Sequence, residues 1–204
     1  MCYIKLVNEQ NNVKYETPQD FLALLYYIFD IGKTFQDSVR NNPEFCGPYT
    51  GFTPGMLQTD YLGGIDSLYN YVMLNHFVNG KEQGNYAMHR IVSFDQFSYL
   101  LPQDLDTLGK NILRFYKEKG YAAAYAIHAS TKNPHIHFVV DALSIDGRVY
   151  NLWQEYDNLS HIANCWYDNF QSKHLNPEMI CKREKQIFYQ ELKLRILFWR
   201  QKQS

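Results

Sequence analysis

The sequence has no excess of charge, no long apolar run and no cysteines at paired spacing. Its 20 Lys plus Arg against 21 Asp plus Glu leave a formal net charge of -1, so no overall positive field marks out a polyanion partner. No apolar run approaches the roughly 18 residues that span a bilayer, and the start Met1-Cys2-Tyr3-Ile4-Lys5 lacks the layout of a secretory signal. The expectation is a cytoplasmic protein without membrane insertion. Cys2, Cys46, Cys165 and Cys181 lie far apart with no CxxC pair, which excludes a zinc knuckle and a disulfide framework. Internal repeats and low-complexity tracts are also missing.

What is present suffices for one folded domain. The 204 residues are 46% apolar and 16% aromatic, enough to bury a core and too little chain for a second enzymatic domain. The neutral average hides an asymmetry. From Lys182 onward seven basic residues face two acidic ones, whereas the chain before it carries thirteen basic and nineteen acidic. The expected organisation is a domain over 1–175 and a basic helix over 176–204 packed on it.

The pattern predicts a strand over Cys2 to Val7 and a helix that starts at Thr17-Pro18-Gln19-Asp20 and stops at Gly32. Residues 41 to 64, with Gly47-Pro48, Thr53-Pro54-Gly55 and Gly63-Gly64, read as a loop. A helix over Ile65 to Phe77, a strand over His89 to Phe94 and a helix from Asp104 to Lys119 follow. Tyr121 to His128 and His135 to Asp141 read as a hairpin. Asp146-Gly147 is a tight turn before a short strand, Arg148 to Leu152, and helices over Gln154 to Phe170 and Pro177 to Arg200 close the chain. That order predicts an α+β fold, an antiparallel sheet flanked by helices.

The hairpin carries the chemistry. It reads His128-Ala-Ser-Thr-Lys-Asn-Pro-His135-Ile-His137. Alternate strand residues share a face, so His135 and His137 point the same way, and a hairpin can bring His128 beside them. Three imidazoles suit a divalent metal whose other positions are left to water or substrate oxygen, as in catalytic sites.

These residues resemble the conjugative and mobilisation relaxases of the HUH endonuclease superfamily, and within it the P-type, MobP-like branch. The family's third motif, a histidine, six residues, then two histidines around an apolar residue, is similar to His128 with Asn133-Pro134-His135-Ile136-His137-Phe138-Val139-Val140. Its middle block is similar to His89-Arg90-Ile91-Val92-Ser93-Phe94. Its first motif, which holds the nucleophilic tyrosine, is similar to Asp20-Phe21 through Tyr26-Tyr27-Ile28 with Lys33-Thr34. The blocks occur in family order over residues 20 to 141.

The resemblance implies a relaxase or rolling-circle-initiator-like fold in which the antiparallel sheet carries the HUH hairpin. It implies a relaxase, a metal-dependent, site-specific single-strand DNA endonuclease that nicks a transfer origin by tyrosine transesterification and keeps a 5′-phosphotyrosine, for plasmid or mobile-element mobilisation in a bacterial cytoplasm. The expected cofactor is a divalent metal, Mn²⁺ or Mg²⁺, with Zn²⁺ as a further option. Expected partners are single-stranded or locally melted origin DNA and accessory mobilisation or coupling proteins. Two alternatives stay open: a relaxase-like DNA-binding regulator that has lost catalytic power, and a rolling-circle replication initiator.

Tyr27 falls on the family position of the nucleophile, with Tyr26 in reserve, and on a helix the two point about 100° apart, so one of them faces the metal. Tyr150, Tyr156 and Tyr167 are the downstream tyrosines an initiator would use. The family's acid after the first histidine is replaced by Ser130 and Thr131. Asp141, Asp146 or the imidazole of His89 is left to orient the site or accept the tyrosine proton. Lys33, Arg90, Lys132 and Arg148 are the cations expected to meet DNA. The basic tail from Lys182 to Lys202, interleaved with Phe188, Tyr189, Phe198 and Trp199, and the aromatic loop Phe45 to Tyr61 are further candidates for contact with phosphates and bases.

Overall fold

The computed structural model describes residues 2–29, 50–52, 61–95, 100–128 and 133–174. The elements in chain order are β1 (Cys2–Leu6), α1 (Val7–Asn11), α2 (Pro18–Phe29), β2 (Thr50–Phe52), α3 (Tyr61–Val78), β3 (Ala87–Phe94), α4 (Pro102–Glu118), β4 (Tyr121–His128), β5 (His135–Ser144) and α5 (Glu155–His174). The strands form one sheet in the order β1-β3-β5-β4-β2, and every pairing is antiparallel. The α+β architecture expected from the sequence is the one observed.

Strand alternation sorts the core into two layers. Val92, Phe94, Tyr125, Ile136, Phe138 and Val140 face α4 and α5. Ala87, Ala124, Ala126 and Val139 face α2 and α3 and meet Phe21, Leu24, Leu25, Ile28, Leu68 and Val72. The small side chains of β4 on that second face let the helices lie close to the sheet. On the first face the close approach falls to Gly109 of α4. A Cβ there would stand 2.6 Å from the Tyr125 ring, whose hydroxyl donates to Asp106 Oδ1 at 2.6 Å.

The start of α2 follows its sequence signal. Asp20 N–H donates to Thr17 Oγ1 at 3.1 Å and Thr17 N–H to Asp20 Oδ2 at 3.0 Å, a reciprocal cap over Pro18 in the first helical position. At α4, Asp104 accepts the Leu101 N–H at 2.8 Å. Gly120, with φ +83°, ends α4 as the breaker reading required.

Four expectations need correction. Gly63-Gly64 lie inside α3, which begins at Tyr61 rather than Ile65. Thr50–Phe52 is a strand, because it finds an edge to pair with: Thr50 opposes Ala126 and Phe52 opposes Ala124. Beyond the Asp146-Gly147 turn, the expected strand over 148–152 reduces to a bridge between Leu143 and Val149, and Val7 opens α1 rather than ending β1. The end of α2 at Gly32 and the basic helix over 176–204 lie outside the described residues. Among the described residues, no helix is long and apolar enough to cross a membrane.

Candidate metal centre

The register of the central hairpin assembles the histidines. His128 of β4 is directly opposite His135 of β5, and Ala126 is opposite His137. All three side chains stand on the α2/α3 face. Their rings are 4.5 Å (His128–His137), 4.8 Å (His135–His137) and 5.1 Å (His128–His135) apart between centroids. One ligand nitrogen from each lies within 4.8 Å of the others. Three nitrogens each about 2.1 Å from a shared ion would sit on the order of 3 to 3.5 Å apart, so a pair at the 4.8 Å limit would have to draw closer to share one ion.

Hydrogen bonds decide which nitrogen each ring offers. His128 donates from Nε2 to the Ile28 carbonyl at 2.7 Å, which makes Nδ1 its lone-pair nitrogen. His135 donates from Nδ1 to the Asn133 carbonyl at 2.9 Å and offers Nε2. His137 Nδ1 lies 2.8 Å from His89 Nε2, so His137 also offers Nε2 when its Nδ1 carries the hydrogen. For His135, His137 and His89 burial favours the neutral form, the one a divalent cation requires. Burial, with added repulsion from His128, His89 and His135, drives His137 down to about 2. Burial likewise lowers His135 and, with Arg90 and Lys5 adding repulsion, takes His89 to about 4.

Above the patch lies α2. Tyr27 is 64% exposed and sets its ring edge-on against His137 at 5.8 Å and His89 at 6.4 Å. Tyr26 makes no ring contact with a histidine among the described residues. Of the downstream tyrosines, Tyr150 donates to Glu155 and Tyr167 packs on Phe94 at 5.9 Å, both in the core on the opposite face. Tyr156 is on α5, in that same layer.

The candidate base is elsewhere. Asp141 is four residues along β5 from His137, about 13 Å at strand spacing. Its carboxylate is buried and accepts from Asn75 Nδ2 at 2.9 Å and the Leu143 N–H at 2.8 Å, with His76 Nε2 at 2.9 Å. It anchors α3 to β5. Asp146 is in the exposed turn beyond β5, paired with Arg148 at 2.8 Å. His89 is the member of that set which meets the site, 3% exposed and bonded to His137.

The cations also divide. Arg90 is fully buried, on the face of β3 opposite His89. It binds Glu155 through Nε and Nη2 at 2.9 and 2.8 Å and Glu9 through Nη1 and Nη2 at 3.0 and 2.8 Å. Tyr116 donates to the same Glu155 at 2.7 Å. Arg90 therefore holds α1 and α5 to the sheet and is not presented to DNA. Arg148 is exposed at the far end of β5, remote from the histidines. Lys33, Thr34, Ser130, Thr131, Lys132, the basic tail and all of the aromatic loop but β2 and Tyr61 lie outside the described residues.

Sequence reasoning missed Tyr15 and Asn8. Asn8 Oδ1 accepts the His89 N–H at 2.6 Å and its Nδ2 donates to the Ala87 carbonyl at 3.1 Å, clamping β3 where His89 stands. Tyr15 places its hydroxyl 3.3 Å from His89 Nδ1. Neither has a local signal, since each partner is more than 70 residues away.

The family model described as "Relaxase: MobA/VirD2-like, nuclease domain" matches residues 55–167, more than half of the chain. No curated protein matches. Among solved structures, one described as "Molecular Basis of Vancomycin Resistance Transfer in Staphylococcus aureus" aligns with 86% of this chain and 92% of its own, at 17% identity and a TM-score of 0.41.

Proposed function

The chain belongs to the MobA/VirD2-like relaxase family, and on that premise we propose that it nicks one strand of DNA at a transfer origin, with Tyr27 as nucleophile and His128, His135 and His137 as metal ligands. The observation that carries this reading is the placement of Tyr27 edge-on to His137, on the sheet face that carries all three imidazoles. Imidazole nitrogens fit a divalent ion, with Mn²⁺ or Mg²⁺ suited to phosphate oxygens and Zn²⁺ to imidazole. Bound there, it would polarise the phosphodiester. Among the described residues no carboxylate joins the three imidazoles, so an ion held by them would keep its full positive charge toward the anionic DNA.

The protein's own residues supply the rest. The Tyr27 oxygen attacks phosphorus, an O–P bond to the 5′ phosphate forms, the P–O3′ bond breaks, and the proton lost from the phenol is matched by one gained at the 3′ oxygen. Bond energy is kept in the phosphotyrosine, so the strand can be rejoined. His128 holds the carbonyl next to Tyr27 and so fixes the reach of α2 over the patch.

Incubation with single-stranded candidate origin DNA and Mn²⁺ should yield a protease-sensitive protein–DNA adduct that maps to Tyr27. An adduct at Tyr150, Tyr156 or Tyr167 would move the protein to the replication-initiator class. The engagement of Asp141 by His76 and Asn75 favours a second reading, a DNA-binding regulator without an efficient base. Specific retention of origin DNA with no adduct under any metal would establish that reading instead.

A further inference from the structure

Tyr15 lies between α1 and α2 with no regular structure of its own, yet its position is fixed. Its N–H donates to Asn85 Oδ1 at 2.8 Å and its carbonyl accepts from the Tyr86 N–H at 2.8 Å. The hydroxyl that results from this placement is 3.3 Å from His89 Nδ1, and His89 Nε2 is 2.8 Å from His137 Nδ1. Three groups thus stand in one line, and each bond in it can run either way.

The two directions have opposite consequences. If Tyr15 O–H donates to His89 Nδ1, then His89 Nε2–H donates to His137 Nδ1, and a neutral His137 carries its hydrogen on Nε2, where it blocks coordination. If instead His137 Nδ1–H donates to His89 Nε2, then His89 Nδ1–H donates to the Tyr15 oxygen, and His137 presents its Nε2 lone pair to the site. Each imidazole is neutral in both states, and Tyr15 keeps its hydrogen. His137 loses a proton at Nε2 and gains one at Nδ1, so no net proton is taken up or released by the chain of groups.

We infer that Tyr15 and His89 form a positioning relay whose hydrogen-bond direction decides whether His137 can ligate metal, with Tyr15 as the terminal acceptor that stabilises the binding-competent direction. The inference rests on the metal reading proposed above. The chain of groups does, without a formal charge, what a carboxylate or carbonyl beside a ligating histidine does: it fixes tautomer and ring orientation. Tyr15 acts only through His89 and touches neither DNA nor metal in this role.

The test uses Zn²⁺, which is diamagnetic, with the full chain labelled with ¹⁵N at histidine. Long-range ¹H–¹⁵N spectra should place the hydrogens of both His137 and His89 on Nδ1 in the Zn²⁺-loaded wild type. Tyr15→Phe keeps the ring and removes the acceptor, so Zn²⁺ affinity measured by calorimetry should fall by about three- to tenfold, a fraction of the roughly 10- to 100-fold typical for a partner in direct contact with a ligand. His89→Gln offers an amide oxygen to His137 Nδ1–H without needing Tyr15, so adding Tyr15→Phe to it should change affinity no further.

An equal loss in both backgrounds, or wild-type tautomers and wild-type affinity in Tyr15→Phe, overturns the relay. If the His89→Gln protein does not fold, the tautomers and affinity of Tyr15→Phe alone decide the matter. His137→Ala separates the two readings. Lost Zn²⁺ binding in His137→Ala with an indifferent Tyr15→Phe rejects the relay and leaves the metal centre standing, whereas unchanged binding in His137→Ala rejects both.

Discussion

His128 Nε2 donates to the backbone carbonyl of Ile28 at 2.7 Å, and this one bond joins the strand that carries a metal-ligand candidate to the helix that carries Tyr27. A metal ligand with one nitrogen committed to a carbonyl is oriented by it. Here the carbonyl belongs to the residue after the proposed nucleophile. Position of the metal and reach of the tyrosine are therefore set together.

His128→Ala and His135→Ala should consequently differ. Both remove a ligand and should weaken Mn²⁺ binding by tenfold or more, read by calorimetry. Only His128→Ala also frees the end of α2, so amide hydrogen exchange near Ile28 should accelerate in that variant alone. Equal exchange in the two proteins would show that the bond does not hold the helix.

Tyr27→Phe removes one oxygen from a side chain that is mostly exposed. Metal binding and thermal stability should be unchanged while the covalent DNA adduct disappears. Tyr26→Phe should form the adduct at close to the wild-type rate. The measurement is a denaturing gel of protein mixed with labelled single-stranded origin DNA.

Acid should destabilise the metal-free protein through the buried imidazoles. His89 and His137 have folded pKa values near 4 and 2, below the ordinary 6.5. The unfolded chain thus binds more protons as pH falls below about 6.5, and the stability these groups contribute above that pH is lost on the way down. Each steepens the loss by up to about 1.4 kcal/mol per pH unit. Urea unfolding between pH 7 and pH 4.5 should show a shallower slope in His89→Gln than in wild type. Parallel slopes would mean that His89 does not titrate on unfolding in this range.

Removing one partner of Arg90 should be costly. Its guanidinium is fully buried between Glu155 and Glu9, and an unpaired buried charge costs about 3 to 5 kcal/mol. Glu155→Ala should lose roughly that much in denaturant unfolding. Glu9→Ala should lose less, because Glu9 is half exposed and water replaces it. DNA affinity in the folded fraction should keep the salt dependence of wild type, since Arg90 contacts no phosphate.

The legible parts of this protein are those whose signal is local. The spacing of His128, His135 and His137 with strand alternation was enough to place three rings on one face, and Thr17-Pro18-Gln19-Asp20 contained its own helix cap. The same alternation applies at Arg90: a residue next to His89 on a strand must face the other way. Thr50–Phe52 became a strand only because β4 offered an edge, which no local pattern states. Gly63-Gly64 favoured a turn by propensity and were overridden by a helix that continues through them. Tyr15 and the His76–Asp141 pair depend on contacts across 74 and 65 residues, so their roles appear only when the chain has folded.

Asp141 gives the sharpest contrast between sequence and structure. As a base for Tyr27, its conversion to Asn would slow nicking at neutral pH and spare it at high pH, where the phenol ionises unaided. The structure predicts otherwise. Both nitrogens of His76 face oxygens, the Lys81 carbonyl at 2.9 Å and Asp141 Oδ1 at 2.9 Å, so the ring bridges the carboxylate to the backbone after α3. Asn75 donates to the other carboxylate oxygen. An Asn at 141 would turn an amide N–H₂ toward one of these donors, leaving a buried group unsatisfied at about 1 to 3 kcal/mol. Asp141→Asn should therefore lower the unfolding midpoint while adduct formation per folded molecule follows the wild-type pH profile from 6 to 9. His76→Gln should reproduce the stability loss with the same unchanged profile. A rate deficit in Asp141→Asn that recovers as pH rises, with His76→Gln nicking normally, would return Asp141 to the role of base.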